Sequence, residues 1–280
     1  MAWTLTTDLE QFIATAGRFL RSEPVRHTVF LTLIEGLRSQ GPHVYGPQAP
    51  HFGWWSPPAD EVCGALIHTP PFPVMFTELP AEAVPAAVGA LAGHPLSGAN
   101  LLAGDVAAFT AGWQERTGVK ASAGMRTRLF RLDRLISPDP APTGGARPAT
   151  EADRALLIDW LDTYHEYIGE QPPDLEAMVD ARLESGGVTL WEDGGVPVAL
   201  AIRSRPEAGM VRIQTVYTPA EHRRRGYGAG VTTAATQAAL DAGATDVVLF
   251  TDLANPTSNA LYPRLGYRPI EDRAVVKFPS

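Results

Sequence analysis

Residues 222–230, His-Arg-Arg-Arg-Gly-Tyr-Gly-Ala-Gly, set three guanidinium groups directly before three alternating glycines. Those residue types can hold an anion in two ways at once. Guanidinium groups make charge-assisted, bidentate contacts with phosphate. Glycine lets a ligand approach the main chain, because no Cβ stands in the way. Where such a segment joins a strand to a helix, the first helical N–H groups lack internal partners and lie at the positive end of the helix dipole.

The flanking sequence has that form. Met-Val-Arg-Ile-Gln-Thr-Val-Tyr-Thr, 210–218, is a β-branched, partly alternating run halted by Pro219. Val-Thr-Thr-Ala-Ala-Thr-Gln-Ala-Ala-Leu, 231–240, is an alanine-rich helix stopped by Gly243. Gly226 and Gly228 then shape the turn, Gly230 falls in the helix's first turn, and the segment reads as a pyrophosphate cradle. The plain alternative is a solvated charge run before an ordinary turn. A Rossmann loop needs Gly-x-Gly-x-x-Gly, but position 231 is Val, and Asp246 opens the next strand instead of ending it. A Walker loop needs Gly-Lys-Ser/Thr, which is absent. Nucleic-acid binding calls for a basic surface with interleaved aromatics, whereas the formal net charge is −8, which suits a cationic small molecule better.

The elements that must position this segment follow from pattern. A chain of 280 residues with 45% hydrophobic content has room for one large or two ordinary domains. Pro and Gly crowd residues 137–148, marking a linker between 1–136 and 149–280. Beyond it Thr150 and Asp153 form an Asp variant of the capping box, and Leu156, Leu157, Trp160 and Leu161 recur at helical spacing. Two strands joined near Asp193–Gly195 follow. After the 210–218 strand and the alanine-rich helix come an apolar strand at 245–252, a short helix within 256–267, and a closing strand at 274–278. Strands alternating with helices make this an α/β chain of the mixed-sheet, α+β kind.

The first half faintly repeats the second. Pro-Ala-Glu occurs at 80–82 and 219–221, and Arg116, Gly118, Lys120 and Phe130 align without a gap on Arg264, Gly266, Arg268 and Phe278. After its Pro-Ala-Glu the first half has no arginine cluster, so only the second half keeps the cradle. Cys63 is the sole cysteine, which excludes an intramolecular disulfide and reads as a core thiol. Trp54 and Trp55 read as core aromatics in preference to a binding site. The histidines show no metal-ligand spacing, and no metal is expected. Without a signal-peptide pattern or a membrane-length apolar run, a soluble cytoplasmic protein is expected.

On the residues Arg223-Arg224-Arg225-Gly226-Tyr227-Gly228, the chain resembles the GNAT superfamily of N-acetyltransferases, whose motif A is Gln/Arg-x-x-Gly-x-Gly/Ala between a strand and a helix. The segment Asn255-Pro-Thr-Ser258-Asn259-Ala-Leu-Tyr262, closed by Gly266-Tyr267, resembles motif B. The resemblance covers roughly 146–278, and the first half resembles the degenerate domain of tandem members. It implies the acyl-CoA N-acyltransferase fold in two tandem domains.

It further implies acetyl-CoA as cofactor, with its pyrophosphate on Arg223–Gly228 and its pantetheine arm along Val216, Tyr217 and Thr218. A main-chain N–H near Val216 or Tyr217 is then expected to polarise the thioester where two strands splay. Tyr262 matches the tyrosine that protonates the departing thiolate; the competing reading is that it only packs. Its counterpart in the first half is Gln114, which cannot act as that acid. Asn255 and Ser258 are expected to bond the cofactor, or Asn255 to cap its helix. An amine must lose a proton to attack, and Asp162, His165, Glu166 and Glu170 are the candidate bases, with Tyr164 and Tyr167 as walls; the alternative is a solvated helix face. The leading reading is acetyl transfer to a primary amine of a small molecule. The alternatives are acetylation of a protein lysine or N-terminus, a non-catalytic CoA-binding regulator, and a nicotinamide-dependent oxidoreductase. Oligomeric state is open.

Overall fold

A computed structural model describes residues 2–57, 61–169, 172 and 174–279. The chain divides into two compact units that are not contiguous in sequence. The first takes residues 1–129, 252–254 and 271–280, and the second 130–251 and 255–270.

In the first unit the elements are β1 (Ala2–Thr6), α1 (Leu9–Ser22), α2 (Thr28–Gln40), β2 (His51–Ser56), β3 (Gly64–His68), β4 (Val74–Phe76), α3 (Ala83–Leu91), β5 (Gly98–Leu102) and α4 (Val106–Thr117), followed by β6 (Ser122–Leu132), whose end crosses into the second unit. Strands β1 to β5 lie in chain order, antiparallel except for the parallel pair β4–β5. Phe76, Leu101, Phe109 and Trp113 build its core, and Phe278 stacks on Trp113 with ring centroids 4.7 Å apart. Trp55 is 1% exposed and belongs to this core. Cys63 is half-buried just ahead of β3, its Sγ 3.8 Å from the Trp55 carbonyl.

The second unit contains β7 (Gly145–Pro148), α5 (Arg154–Ile168), α6 (Leu175–Glu184), β8 (Val188–Asp193), β9 (Val196–Arg203), β10 (Met210–Tyr217), α7 (Tyr227–Asp241), β11 (Asp246–Asp252) and α8 (Pro256–Arg264), and β12 (Tyr267–Lys277) begins in it. The strand order is β11-β10-β9-β8-β7. Residues 137–148 run within this unit, and 145–148 pair with β8 from Gly145↔Glu192 to Pro148↔Thr189. The capping box at Thr150 and Asp153 is formed, and Arg147 grips Asp153 through both nitrogens at 2.7 and 2.8 Å. Helix α7 lays Val231, Ala235 and Ala239 on Val211, Ile213 and Val247, while Leu157, Trp160 and Leu161 of α5 pack with Leu190, Leu200 and Ile202. Small residues on α7 and β-branched ones on the strands allow the close approach of helix to sheet that fixes where the helix begins.

Candidate functional site

Strand β10 is parallel to β11 from Met210↔Asp246 to Ile213↔Leu249, and there the pairing stops. On its other side β10 pairs with β9 through a bulge, the register passing from Ile213↔Arg203 to Thr215↔Ile202 and leaving Gln214 out. A bulge sharpens the twist of a strand, so β10 turns away from β11 while remaining tied to β9 through Val216↔Ala201 and Tyr217↔Leu200. The ladder between the two strands thus ends at Ile213 and Leu249. Among the described residues, no pair joins β10 to β11 beyond this point.

The chain then makes one 3-10 turn at Ala220–His222 and enters the arginine–glycine segment. Arg223 sends its Nε–H to the Thr218 carbonyl at 2.9 Å. Arg224 and Gly226 hold φ of 64° and 83°, in the left-handed region that a side chain disfavours. The first internal bond of α7 runs from Gly230 N to Gly226 O, which leaves the amides of Tyr227, Gly228 and Ala229 ahead of it, and no side chain caps this end. Asp8, Asp174 and Asn255 cap α1, α6 and α8, whereas α2, α3 and α4, like α7, start without a side-chain cap. Arg223, Arg224 and Arg225 are exposed, as binding a solution anion requires. A Cβ built at Gly228 would stand 3.6 Å from Thr218 Oγ1, so the space over this amide is open.

Tyr227 behaves differently from its neighbours. Its ring is 3% exposed in the core, and its hydroxyl donates to Asp193 Oδ2. Only its main-chain N–H is placed to meet an anion.

Tyr262 is 7% exposed on α8, with ring centroids 6.0 Å from Tyr267 and 6.4 Å from Phe130. Burial, helped by the neighbouring hydroxyls of Tyr267 and Tyr164, pushes its phenol well above the ordinary tyrosine value, against a hydrogen bond from Ser258 one turn before it. Asn255 Oδ1 accepts from Ser258 N at 3.1 Å as the helix cap, and Asn259 bridges the Thr251 hydroxyl at 2.6 Å and the Asn255 carbonyl at 2.8 Å.

Of the acceptor-side residues, Asp162 and Glu166 are exposed on α5, His165 is half-buried with its ring 5.5 Å from Tyr164, and Tyr167 is 77% exposed. Glu170 lies outside the described residues. Tyr164 reaches Tyr217 at 6.3 Å, and Trp160 reaches it at 5.9 Å. The structure thus gathers Tyr164, Tyr217 and Tyr262 near one another from α5, β10 and α8. Sequence reasoning passed over Gln214 and Asp193. The first is marked only by its place in a bulge, and the second only as the residue before Gly-Gly. Among the described residues no cluster of His, Cys, Asp or Glu is arranged to hold a metal ion, and no helix is long and apolar enough to cross a membrane.

Residues 154–267 match the family model described as Acetyltransferase (GNAT) family. No curated protein matches the chain by sequence. Among solved structures, an acetyltransferase of the GNAT family from Colwellia psychrerythraea aligns over 99% of this chain and 99% of its own, with 10% identity and a TM-score of 0.61. A GCN5-related N-acetyltransferase from Sphaerobacter thermophilus covers 99% and 95% of the two chains at 15% identity and a TM-score of 0.61. A tandem GNAT protein from the clavulanic acid biosynthesis pathway covers 99% and 98% at 12% identity and a TM-score of 0.54. These likenesses show the fold, over both halves of the chain.

Proposed function

We propose, from the match of residues 154–267 to the acetyltransferase (GNAT) family model, that the chain transfers the acetyl group of acetyl-CoA to a primary amine of a small molecule. The observation that carries this reading is the uncapped start of α7, placed directly after the strand that parts from its neighbour. Acetyl-CoA supplies an activated thioester carbonyl. The main-chain amides at 227–229 and the guanidinium groups of Arg223, Arg224 and Arg225 hold its diphosphate, the first through fixed dipoles and the second through exposed charge. Gly226 and Gly228 keep Cβ atoms out of that contact.

Residues 216–218 run alongside the pantetheine arm, whose amides add to an unpaired strand edge as a further strand would. A main-chain N–H at Val216 or Tyr217 donates where negative charge develops on the carbonyl oxygen, and one such donor is worth about 3–4 kcal/mol of barrier. Asn255 and Ser258 border the same arm, while Asn255 also caps α8. Tyr262 Oη holds its proton for the departing sulfur. Burial raises this phenol, which keeps it protonated at neutral pH and also makes it a weaker acid, so its role rests on its place on α8 and not on the shift.

The amine approaches from the α5 side, past Tyr164 and Tyr217. As its nitrogen bonds to the acetyl carbon and the carbon–sulfur bond breaks, it gives up a proton toward Asp162, His165, Glu166 or Glu170. The acidic balance of the chain favours a cationic acceptor over an anionic one. Calorimetry with CoA and a thiol-release screen over diverse amines test the reading. Heat on CoA addition and thiol release dependent on one class of amine support it. Absence of heat removes it, and acetylation of peptides alone would replace the small-molecule acceptor by a protein one.

A further inference from the structure

Asp193 ends β8 at the two-residue turn of the β8–β9 hairpin, where Gly194 and Gly195 hold φ of 60° and 81°. Such left-handed pairs suit a tight hairpin, and the Asp-Gly-Gly sequence needs no further explanation as a turn. The side chain, however, does not serve the turn. Its Oδ2 accepts from the Tyr227 hydroxyl and from Thr143 Oγ1, the latter at 2.8 Å, and the positive charge of Arg225 acts on the same carboxylate.

Tyr227 is the first residue of α7. Its hydroxyl ties the first turn of the helix to the end of β8. Trp191, two residues before Asp193, donates from Nε1 to the Thr143 carbonyl at 2.8 Å, and its ring with Pro142 fills the space over Gly230. The start of α7 is therefore clamped by packing at Gly230 and by a polar tie at Tyr227. The packing fixes the distance of the helix from β8. The tie fixes the rotation of its first turn, and hence the direction of the amides at 227–229.

A carboxylate beside a diphosphate site opposes the ligand by charge, so a direct binding role would be self-defeating. As the acceptor of two hydroxyls it has a different use. We propose that Asp193 is a positioning residue for coenzyme A, acting through Tyr227 to aim the first-turn amides of α7 at the diphosphate. This rests on the reading of residues 223–228 as the coenzyme site.

The test compares CoA, which carries the diphosphate, with acetyl-pantetheine, which lacks it. Asp193→Ala is expected to raise the calorimetric Kd for CoA by about fivefold, the worth of one hydrogen bond, with KM for acetyl-pantetheine unchanged. Asp193→Asn keeps an acceptor oxygen and removes the opposing charge, so it is expected to bind CoA at least as tightly as the wild type. Tyr227→Phe is expected to match Asp193→Ala, and the double variant to be no worse than either. Thr143→Val together with Tyr227→Phe carries the test should Asp193→Ala fail to fold. Equal CoA affinity in Asp193→Ala and wild type, or equal losses with CoA and acetyl-pantetheine, would overturn the positioning role and leave the coenzyme reading intact. Wild-type protein that does not bind CoA would overturn both.

Discussion

Ile213 and Leu249 are the last pair of the parallel ladder between β10 and β11, and both strands continue past them. The bulge at Gln214 falls immediately after this last pair. A bulge sharpens local twist, and β9 keeps hold of the end of β10 through Val216↔Ala201 and Tyr217↔Leu200. A strand edge freed in this way lies one 3-10 turn from an uncapped helix start. An extended ligand with amides at one end and phosphates at the other matches that order of features.

Replacing Tyr262 by Phe removes one oxygen from a side chain that otherwise packs fully against Phe130 and Tyr267. We expect kcat to fall at least about tenfold, the lower end of general-acid contributions, with the Kd for CoA unchanged by calorimetry. Because burial raises the phenol above its ordinary value, an alkaline limb of kcat below about pH 10 must come from another group. Wild-type turnover in the variant would leave Tyr262 a packing residue.

Gly228 and Gly230 separate binding from folding. Alanine at 228 meets only an ordinary contact with Thr218 at 3.6 Å, and inside a helix it is favoured over glycine by up to about 1 kcal/mol. Gly228→Ala is therefore expected to keep or raise Tm while raising the Kd for CoA at least about tenfold, since its methyl fills the approach to the amide. Alanine at 230 would stand 2.9 Å from Pro142 Cγ and 3.0 Å from the Trp191 ring, so Gly230→Ala is expected to lower Tm. Undiminished CoA affinity in Gly228→Ala would place the diphosphate elsewhere.

Asp153 connects the start of α5 to β7 and β8. Both its oxygens accept from Arg147, whose Nε also donates to Glu192 at 2.7 Å, and the Thr150 amide donates to it at 2.7 Å. The Arg147 bonds, foremost, bring its carboxyl down to about 2. A depressed folded value means that the stabilisation is complete above the unfolded value of about 3.9 and is lost as pH falls toward 2. Asp153→Asn is expected to lower stability at pH 7 by about 1–2 kcal/mol and to flatten the stability–pH curve between about 4 and 2. Denaturant melts across that window check it, and an unchanged slope would contradict the linkage.

Local signals were legible because they act within a few residues. The Thr150–Asp153 box, the Asp193–Gly195 turn and the strand–glycine–helix order at 210–240 each depend on neighbours in sequence. So does the faint repeat, for Gly118 and Gly266 both end a helix with positive φ. The rest depends on partners far along the chain. Nothing local marks Asp193 as the acceptor for a tyrosine 34 residues on. The prolines and glycines of 137–148 signal irregular backbone, yet they cannot show that 145–148 pair with β8 or that Pro142 sits over Gly230. Phe130 and Phe278, aligned by the repeat, enter the cores of the second and first units respectively, because each unit takes a strand end from outside its own stretch of sequence.

The repeat raises the question of how many coenzyme molecules one chain binds, and the first unit answers it by chemistry. Its parallel pair, β4 and β5, is joined at Val74↔Ala99 and Met75↔Asn100, and β4 ends at Phe76. At that end the Arg273 guanidinium, 4% exposed, ties the strands together. Its Nη2 donates to the Phe76 carbonyl at 2.5 Å and the Asn100 carbonyl at 3.3 Å, and its Nε to Asn100 Oδ1 at 3.1 Å. Glu271 neutralises it at 3.3 Å and is itself held by Arg26 at 2.8 Å. A buried cation that already occupies these carbonyls competes with a pantetheine arm for them. The following helix, α3, begins after Glu82 with no arginine near it, so a negative charge stands where phosphates would need positive ones. Calorimetric titration with CoA is therefore expected to give one site per chain, abolished or weakened by changes at 223–228 alone. Two sites per chain of similar affinity would show that the first unit binds coenzyme despite Arg273.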